Sequence, residues 1–154
     1  MAETVSQTLS EDLFALLQQE RFVTLATIDH ETGAPSLHSL SWVYAVSAQK
    51  ILLAIDSRSR ILANIAKYPE VVIQLIGGGS SYALNGVAHV KAQRIEEVPI
   101  KLALVEMQIY AVRDIMFYGS RISADPQYEK TYDKKAATKL DQQVMAALRK
   151  ADLT

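Results

Sequence analysis

The chain has 154 residues, nearly half of them apolar, with 16 basic and 17 acidic side chains and no cysteine. That composition suits one globular domain and excludes disulfides, thiolate metal sites and a cysteine nucleophile. A net charge of -1 gives no electrostatic case for nucleic acid or a membrane surface as partner.

Thr8-Leu9-Ser10-Glu11 matches a capping box with Thr8 as N-cap. Leu13, Leu16 and Leu17 then repeat at helical spacing, which predicts a helix over about 10–19. A β-rich strand at 22–28 leads into turn chemistry at His30-Glu31-Thr32-Gly33. Across 36–46, Leu37, Ser39, Ser41 and Val43 alternate with His38, Leu40, Trp42 and Tyr44, so the second, more apolar set is expected on one face. A strand at 50–55 follows. Asp56 or Ser57 then caps a helix to about Tyr68, with Ile61, Leu62, Ile65 and Ala66 inward and Pro69 past its end. Strands at 71–76 and 82–93 flank a flexible Gly77-Gly78-Gly79-Ser80 link. In the second, Asn85-Gly86 marks a bulge or a close backbone approach. Residues 102–112 fit a helix through Leu102, Val105, Ile109 and Val112, and a strand by alternation. Their β-branched and aromatic content selects the strand. Thr131 or Asp133 opens a final helix, about 134–150, with Leu140, Val144, Ala147 and Leu148 on one face.

Six strands with helices at both ends and one after the third strand predict a mainly β, single-domain antiparallel barrel spanning 1–154. The start MAETVSQTLSED is polar and acidic, unlike a signal peptide, and no apolar stretch approaches the roughly 18 residues of a membrane helix. A cytoplasmic protein is expected. His30, His38 and His89 lack the spacing of a helical zinc motif, so no metal is expected.

The stretch between the third strand and its helix, Asp56-Ser57-Arg58-Ser59-Arg60, has two readings. One is a solvated, capped turn. The other is a phosphate seat, because a helix start offers free N–H groups and about half a positive charge, and arginine adds a planar fork suited to phosphate oxygens.

Three stretches stand out together: Thr24–Thr27 through Gly33-Ala34-Pro35 to His38–Ser41; Asp56–Arg60 through Asn64 to Tyr68-Pro69-Glu70-Val71; and Asn85-Gly86-Val87-Ala88. In order and spacing they resemble the pyridoxamine-phosphate-oxidase-like, FMN-binding split-barrel family. The resemblance covers about 20–114. It implies a six-stranded split barrel that forms a homodimer with FMN at the interface. It places the flavin ring against His38, Ser39, Leu40 and Ser41 through their backbone groups. It places the phosphate at Ser57, Ser59 and Arg60, with Asp56 and Arg58 in the same turn. Ser81 falls where the oxidase has a glutamine near the flavin. The departures are His38 where the oxidase has a basic residue, and Ile61 where many members have lysine after the Ser-Arg pair. The segment after Asp114 does not match the oxidase's arginine-rich substrate segment, so pyridoxamine phosphate is not the expected substrate.

His38 reads as a half-buried strand residue or as a hydrogen-bond donor to the flavin or its phosphate, and Trp42 as a core or interface anchor or as a ring stacked on the flavin. Gly77-Gly78-Gly79 reads as a strand link, since it lacks the lysine of a phosphate loop and opens no helix. Tyr118, Tyr128 and Tyr132 are candidates to cover a pocket. The functional expectation is a homodimeric FMN-binding oxidoreductase with a small-molecule substrate. The alternatives are a non-catalytic module holding flavin, deazaflavin or haem, and a ligand-free structural dimer.

Overall fold

In chain order the elements are β1 (Val5–Ser6), α1 (Glu11–Leu16), β2 (Val23–Ile28), β3 (Pro35–Leu40), β4 (Val43–Ala45) and β5 (Lys50–Asp56). After them come α2 (Arg60–Lys67), β6 (Glu70–Gly77), β7 (Ser80–Ala92), β8 (Leu102–Asp114) and α3 (Lys134–Ala151). The structure is a computed structural model that describes residues 5–151. The first and last residues of the expected domain, and the start of the polar N-terminal stretch, lie outside the described residues. Among the described residues no helix is long and apolar enough to cross a membrane.

The strands pair antiparallel in the order β3-β2-β6-β7-β8-β5-β4, with β1 added to the end of β8. The two ends of this path, β3 and β4, are neighbours in sequence, separated only by Ser41 and Trp42. The sheet therefore curls until its edges meet at a chain corner instead of a ladder, which makes it a split barrel. Counting β3 and β4 as one bent strand leaves the six expected strands plus the two-residue β1.

The corner corrects one expectation. The strand predicted across 36–46 is broken, because Val43 N–H turns back to Ser41 O at 3.0 Å and Ala54 N–H donates to Trp42 O at 3.1 Å. The side-chain phase changes there. Val43 and Ala45 enter the barrel core, whereas Trp42, Tyr44 and Val46 pack on α3, so Trp42 does not share a face with His38.

The interior holds Leu25, Ile51, Leu53, Ile73, Leu75, Leu84 and Met107, all buried. α3 covers the outer face of β4, β5 and β8, where Leu52, Ala54, Leu102 and Leu104 meet Val144, Met145, Ala147 and Leu148. With an apolar layer on each side, Ile51–Ile55 and Leu102–Val105 are buried as continuous runs. That is why 102–105 shows no alternation, although 106–111 does, and why the segment also fits a helix.

Cap positions also differ from expectation. Ser10, not Thr8, caps α1, its Oγ accepting Leu13 N–H at 3.2 Å, and the helix ends at Leu16. Ser59, not Asp56 or Ser57, caps α2 through Ile61 N–H. In α2 the expected inward residue Ala66 is exposed, while Asn64 is buried beside Ile61 and Ile65. Gly78 and Gly79 form a hairpin turn at φ 60° and 84°. Gly86 lies at a register shift against β8, as its sequence position suggested.

Candidate functional site

β5 brings the chain to Asp56 and α2 leaves at Arg60, so the seryl–arginyl turn is anchored on both sides by the core. Its amides are largely satisfied from within. Ser57 N–H donates to Lys101 O at 3.1 Å, Arg58 N–H to Asp56 Oδ1 at 2.8 Å, and Ser59 N–H to Asp56 O at 2.9 Å. Ile61 N–H is taken by the Ser59 hydroxyl.

Both guanidinium groups are paired. Arg58 turns back onto Asp56 at 3.2 Å and is 88% exposed. Arg60 reaches across to the β2–β3 turn, where Nε and Nη2 donate to Asp29 Oδ1 at 3.1 and 2.8 Å and Nη2 also meets Glu31 Oε1 at 3.0 Å. The other Asp29 oxygen accepts Glu31 N–H, Thr32 N–H and the Thr32 hydroxyl. Hydrogen bonds from Arg60 first, and from Thr32 N–H next, hold the Asp29 carboxyl well below the ordinary carboxylate range. Asp29 and Glu31 in turn raise the Arg60 pKa.

Beneath this turn Asn64 is fully buried. Its Oδ1 accepts both the backbone N–H and Nδ1 of His30 at 2.9 Å, and its Nδ2 donates to Thr27 Oγ1 at 3.0 Å. A backbone N–H can only donate, so it fixes the amide orientation, and the proton of His30 must then sit on Nδ1. Lys67 Nζ closes the group on His30 O at 3.0 Å.

The predicted ring contacts lie at the other end of the β2–β3 ladder. Pro35 pairs with Ile28 and Leu40 with Val23. At ~3.3 Å per residue, that places Leu40 about 17 Å from the Asp29 end. Thr24 donates to Gln74 Oε1 at 3.0 Å, and Gln74 Nε2 to Ser81 Oγ at 3.0 Å. Ser39 is opposite Thr24. A polar row, Ser39–Thr24–Gln74–Ser81, thus crosses four strands on the outer face that α3 leaves bare. Ser41 is engaged internally, its hydroxyl donating to Glu20 Oε2 at 2.6 Å and its carbonyl accepting Arg21 N–H. His38 faces the other way, as the partner of buried Leu25, and its Nδ1 is buried with no hydrogen-bond partner among the described residues.

Residues 115–133 form a strap over this same end. Ile115 N–H donates to Ser81 O and Ile122 N–H to Gly79 O, both at 2.8 Å. Arg21 meets Asp125 at 3.1 Å, and the Tyr128 ring lies 6.0 Å from that of Phe22. A cleft of about 110 Å³ remains between Glu20, Phe22, Ile76 and Tyr128. Lys130 bridges Glu20 at 2.7 Å and Asp141 at 2.9 Å. Burial opposes the Lys130 charge, but these two hydrogen bonds outweigh it and raise the pKa. Of the three tyrosines, Tyr128 reaches the cleft, whereas Tyr118 is 83% exposed.

The predicted residues thus fall into two groups. Asp56, Ser57, Arg58, Ser59 and Arg60 gather at one end, and Ser39, Leu40, Ser41 and Ser81 at the other, with His38 between. Sequence reading missed Asp29, Glu31, Asn64, Glu20 and Lys130. Their signals were an asparagine inside the Ile61–Ile65 stripe and two acids in the turn that faces the arginines. The ring end offers backbone donors and acceptors of the kind a flavin takes: among the described residues β3 is a sheet edge with one backbone side free of strand partners, beside the polar row. At the phosphate end the hydroxyls and guanidiniums are right in kind, but two arginines there already face three carboxylates.

A sequence profile for pyridoxamine 5'-phosphate oxidase matches residues 9–135. Comparison with curated proteins gives no match. Among solved structures, the chain resembles a Lactobacillus delbrueckii protein provisionally named a pyridoxamine 5'-phosphate oxidase, with TM-score 0.62, 16% identity, and 73% of this chain and 98% of that one covered. It also resembles HupZ of Group A Streptococcus, with TM-score 0.58, 10% identity, and 75% and 99% covered. A third is a protein named F420 reductase, with TM-score 0.57, 12% identity, and 68% and 98% covered. At these identities the structural matches establish the fold.

Proposed function

The chain belongs to the pyridoxamine 5'-phosphate oxidase family, and from that premise we propose that it is a homodimeric flavin-binding protein of the oxidoreductase type, with FMN as cofactor. The observation that carries the reading is the open backbone edge of β3 beside the Ser39–Thr24–Gln74–Ser81 row, which is exposed at Ser39 and buried under the strap at Ser81. An edge strand presents N–H and C=O groups that need partners, and the imide and carbonyl groups of a flavin supply both kinds. Thr24, Gln74 and Ser81 orient one another, so the row offers fixed polar atoms beside small side chains. The β3 end of that face, where Leu37 is 67% exposed, is the surface for a second copy. The strap, through Tyr128 and Lys130, keeps bulk water from the ring end. When bound, the flavin supplies the electron chemistry, and the chain binds and orients it.

The family membership and the name F420 reductase on a neighbour of the same fold support a flavin-type ligand. A visible spectrum of the purified protein, with mass spectrometry of the heat-released ligand, tests the cofactor. A colourless protein that does not bind added FMN refutes it. Reduction of an acceptor by NADH or NADPH separates an oxidoreductase from a module that only holds the ring.

A further inference from the structure

We propose that Asp29 and Glu31 are a built-in latch on Arg60 that closes the phosphate position, so that this chain selects its cofactor by the ring and ribityl chain and discriminates little for a terminal phosphate. The ligand in this statement rests on the flavin reading; the latch itself rests on geometry alone.

Arg60 is the only side chain of the turn whose guanidinium leaves it to cross to another loop, and it spends both its Nε and its Nη2 on carboxylates. Asp29 is not free to swing away. Three hydrogen bonds from Glu31 and Thr32 tie its second oxygen to the turn, and that turn stands on Asn64 through His30. Its carboxylate is only 15% exposed, against 52% for Arg60. Arg58 does not substitute, because Asp56 holds it. A phosphate dianion arriving here meets three carboxylates and an arginine that must give up charge-assisted bonds before it can make new ones. The hydroxyl that ends riboflavin meets no such opposition.

The test compares wild type, Glu31→Gln and the Asp29→Asn/Glu31→Gln double variant. Asparagine keeps one oxygen for the turn amides while removing the charge, and Glu31 is exposed, so the single variant is a second, structurally mild arm. Titration with FMN and with riboflavin gives the affinity ratio. The latch predicts a ratio within about threefold in wild type. It predicts a rise of about tenfold or more in the double variant, through tighter FMN binding with riboflavin unchanged. Phosphorus NMR of inorganic phosphate gives a readout that needs no flavin, with line broadening at millimolar phosphate expected only once the carboxylates are neutralised. A strong FMN preference in wild type, or phosphate broadening that is equal in all three proteins, overturns the latch. If neither flavin binds but the phosphate difference remains, the flavin reading falls and the latch stands.

Discussion

Trp42 donates its indole Nε1–H to Asp141 Oδ1 at 2.9 Å across 99 residues of chain, tying the corner that joins the two ends of the sheet to the C-terminal helix. The same Asp141 oxygen also accepts from Lys130, whose ammonium lies 5.9 Å from the Trp42 ring centre. The strap, the corner and α3 therefore share one charged node, and what holds the helix on the barrel also sets the ring end of the candidate site.

Lys130→Met removes the cation and leaves Glu20 and Asp141 without their shared partner. Charge-assisted hydrogen bonds in a partly buried setting contribute about 1.5–3 kcal/mol, so a loss of about 1–3 kcal/mol is expected after relaxation. Because the Lys130 pKa is raised on folding, this stabilisation is fully present below the ordinary lysine pKa and is lost as pH rises through the folded value. Urea midpoints of wild type and variant should therefore differ at pH 7 and still differ at the ordinary lysine pKa, converging only at higher pH. An equal midpoint at pH 7 counts against the node.

Asn64→Ala leaves the His30 backbone N–H and Thr27 Oγ1 without their partner in a fully buried place. A buried orphan costs about 1–3 kcal/mol, and the deleted volume adds a cavity term, so about 2–4 kcal/mol is expected. The variant should also loosen the Asp29–Glu31 turn. Amide exchange at Glu31 and Thr32 is the sensitive measurement, and protection equal to wild type would show that Asn64 does not support the turn.

The sheet was legible in the sequence because its strands alternate or form apolar runs between turn residues, and Asn85-Gly86 announced its bulge. The 36–46 strand was misread because nothing in SLHSLSWVYAV marks a corner. Its phase change comes from Trp42 docking on α3 and the Ser41 carbonyl accepting both Arg21 N–H and Val43 N–H, which are long-range and backbone events. The seryl–arginyl turn was legible as a charged helix start. Its partners were not, because Asp29 and Glu31 lie about 30 residues away by sequence separation and meet Arg60 only through the barrel.

Gly86→Ala places a methyl group 2.4 Å from Gln108 O and 2.8 Å from Met107 Cε. The methionine end can move, but the β8 carbonyl is held in the ladder. Overpacking of this kind costs typically about 1–3 kcal/mol, and more where backbone must shift. The variant should unfold at lower urea than wild type with an unchanged m-value. A midpoint within error of wild type would mean that the bulge absorbs the added carbon.

His38→Leu separates ligand binding from folding. A buried nitrogen without a partner is a cost in the free chain, so the substitution should not lower apo stability, and a gain of up to about 1 kcal/mol is expected. If the histidine shapes the edge of β3 at which the flavin binds, affinity should fall by about three- to tenfold while the apo protein is unharmed. A loss of apo stability with unchanged flavin affinity would assign His38 to the core alone.

Acid titration tests the Asp29–Arg60 pair without any ligand. The Asp29 pKa is depressed on folding, chiefly by Arg60, so its contribution is fully present above the unfolded carboxylate value and lost as pH falls through the folded one. Between about pH 4 and the depressed value the unfolded chain takes up a proton that the folded chain refuses, and each unit of pH then erodes stability. Wild type should therefore exceed Asp29→Asn by a constant margin from pH 7 to pH 5, and the margin should shrink below pH 4. Asp56 is also lowered, by Arg58, but it is common to both proteins and cancels. Repeating the comparison in an Arg60→Met background should flatten most of the pH dependence, since the backbone hydrogen bonds from Thr32 and Glu31 remain but the guanidinium is gone. Urea midpoints at four pH values in the four proteins decide it. A margin that persists unchanged to pH 2.5 would show that folding does not lower the Asp29 pKa, and a pH dependence that survives loss of Arg60 would show that the turn and not the arginine holds the carboxylate.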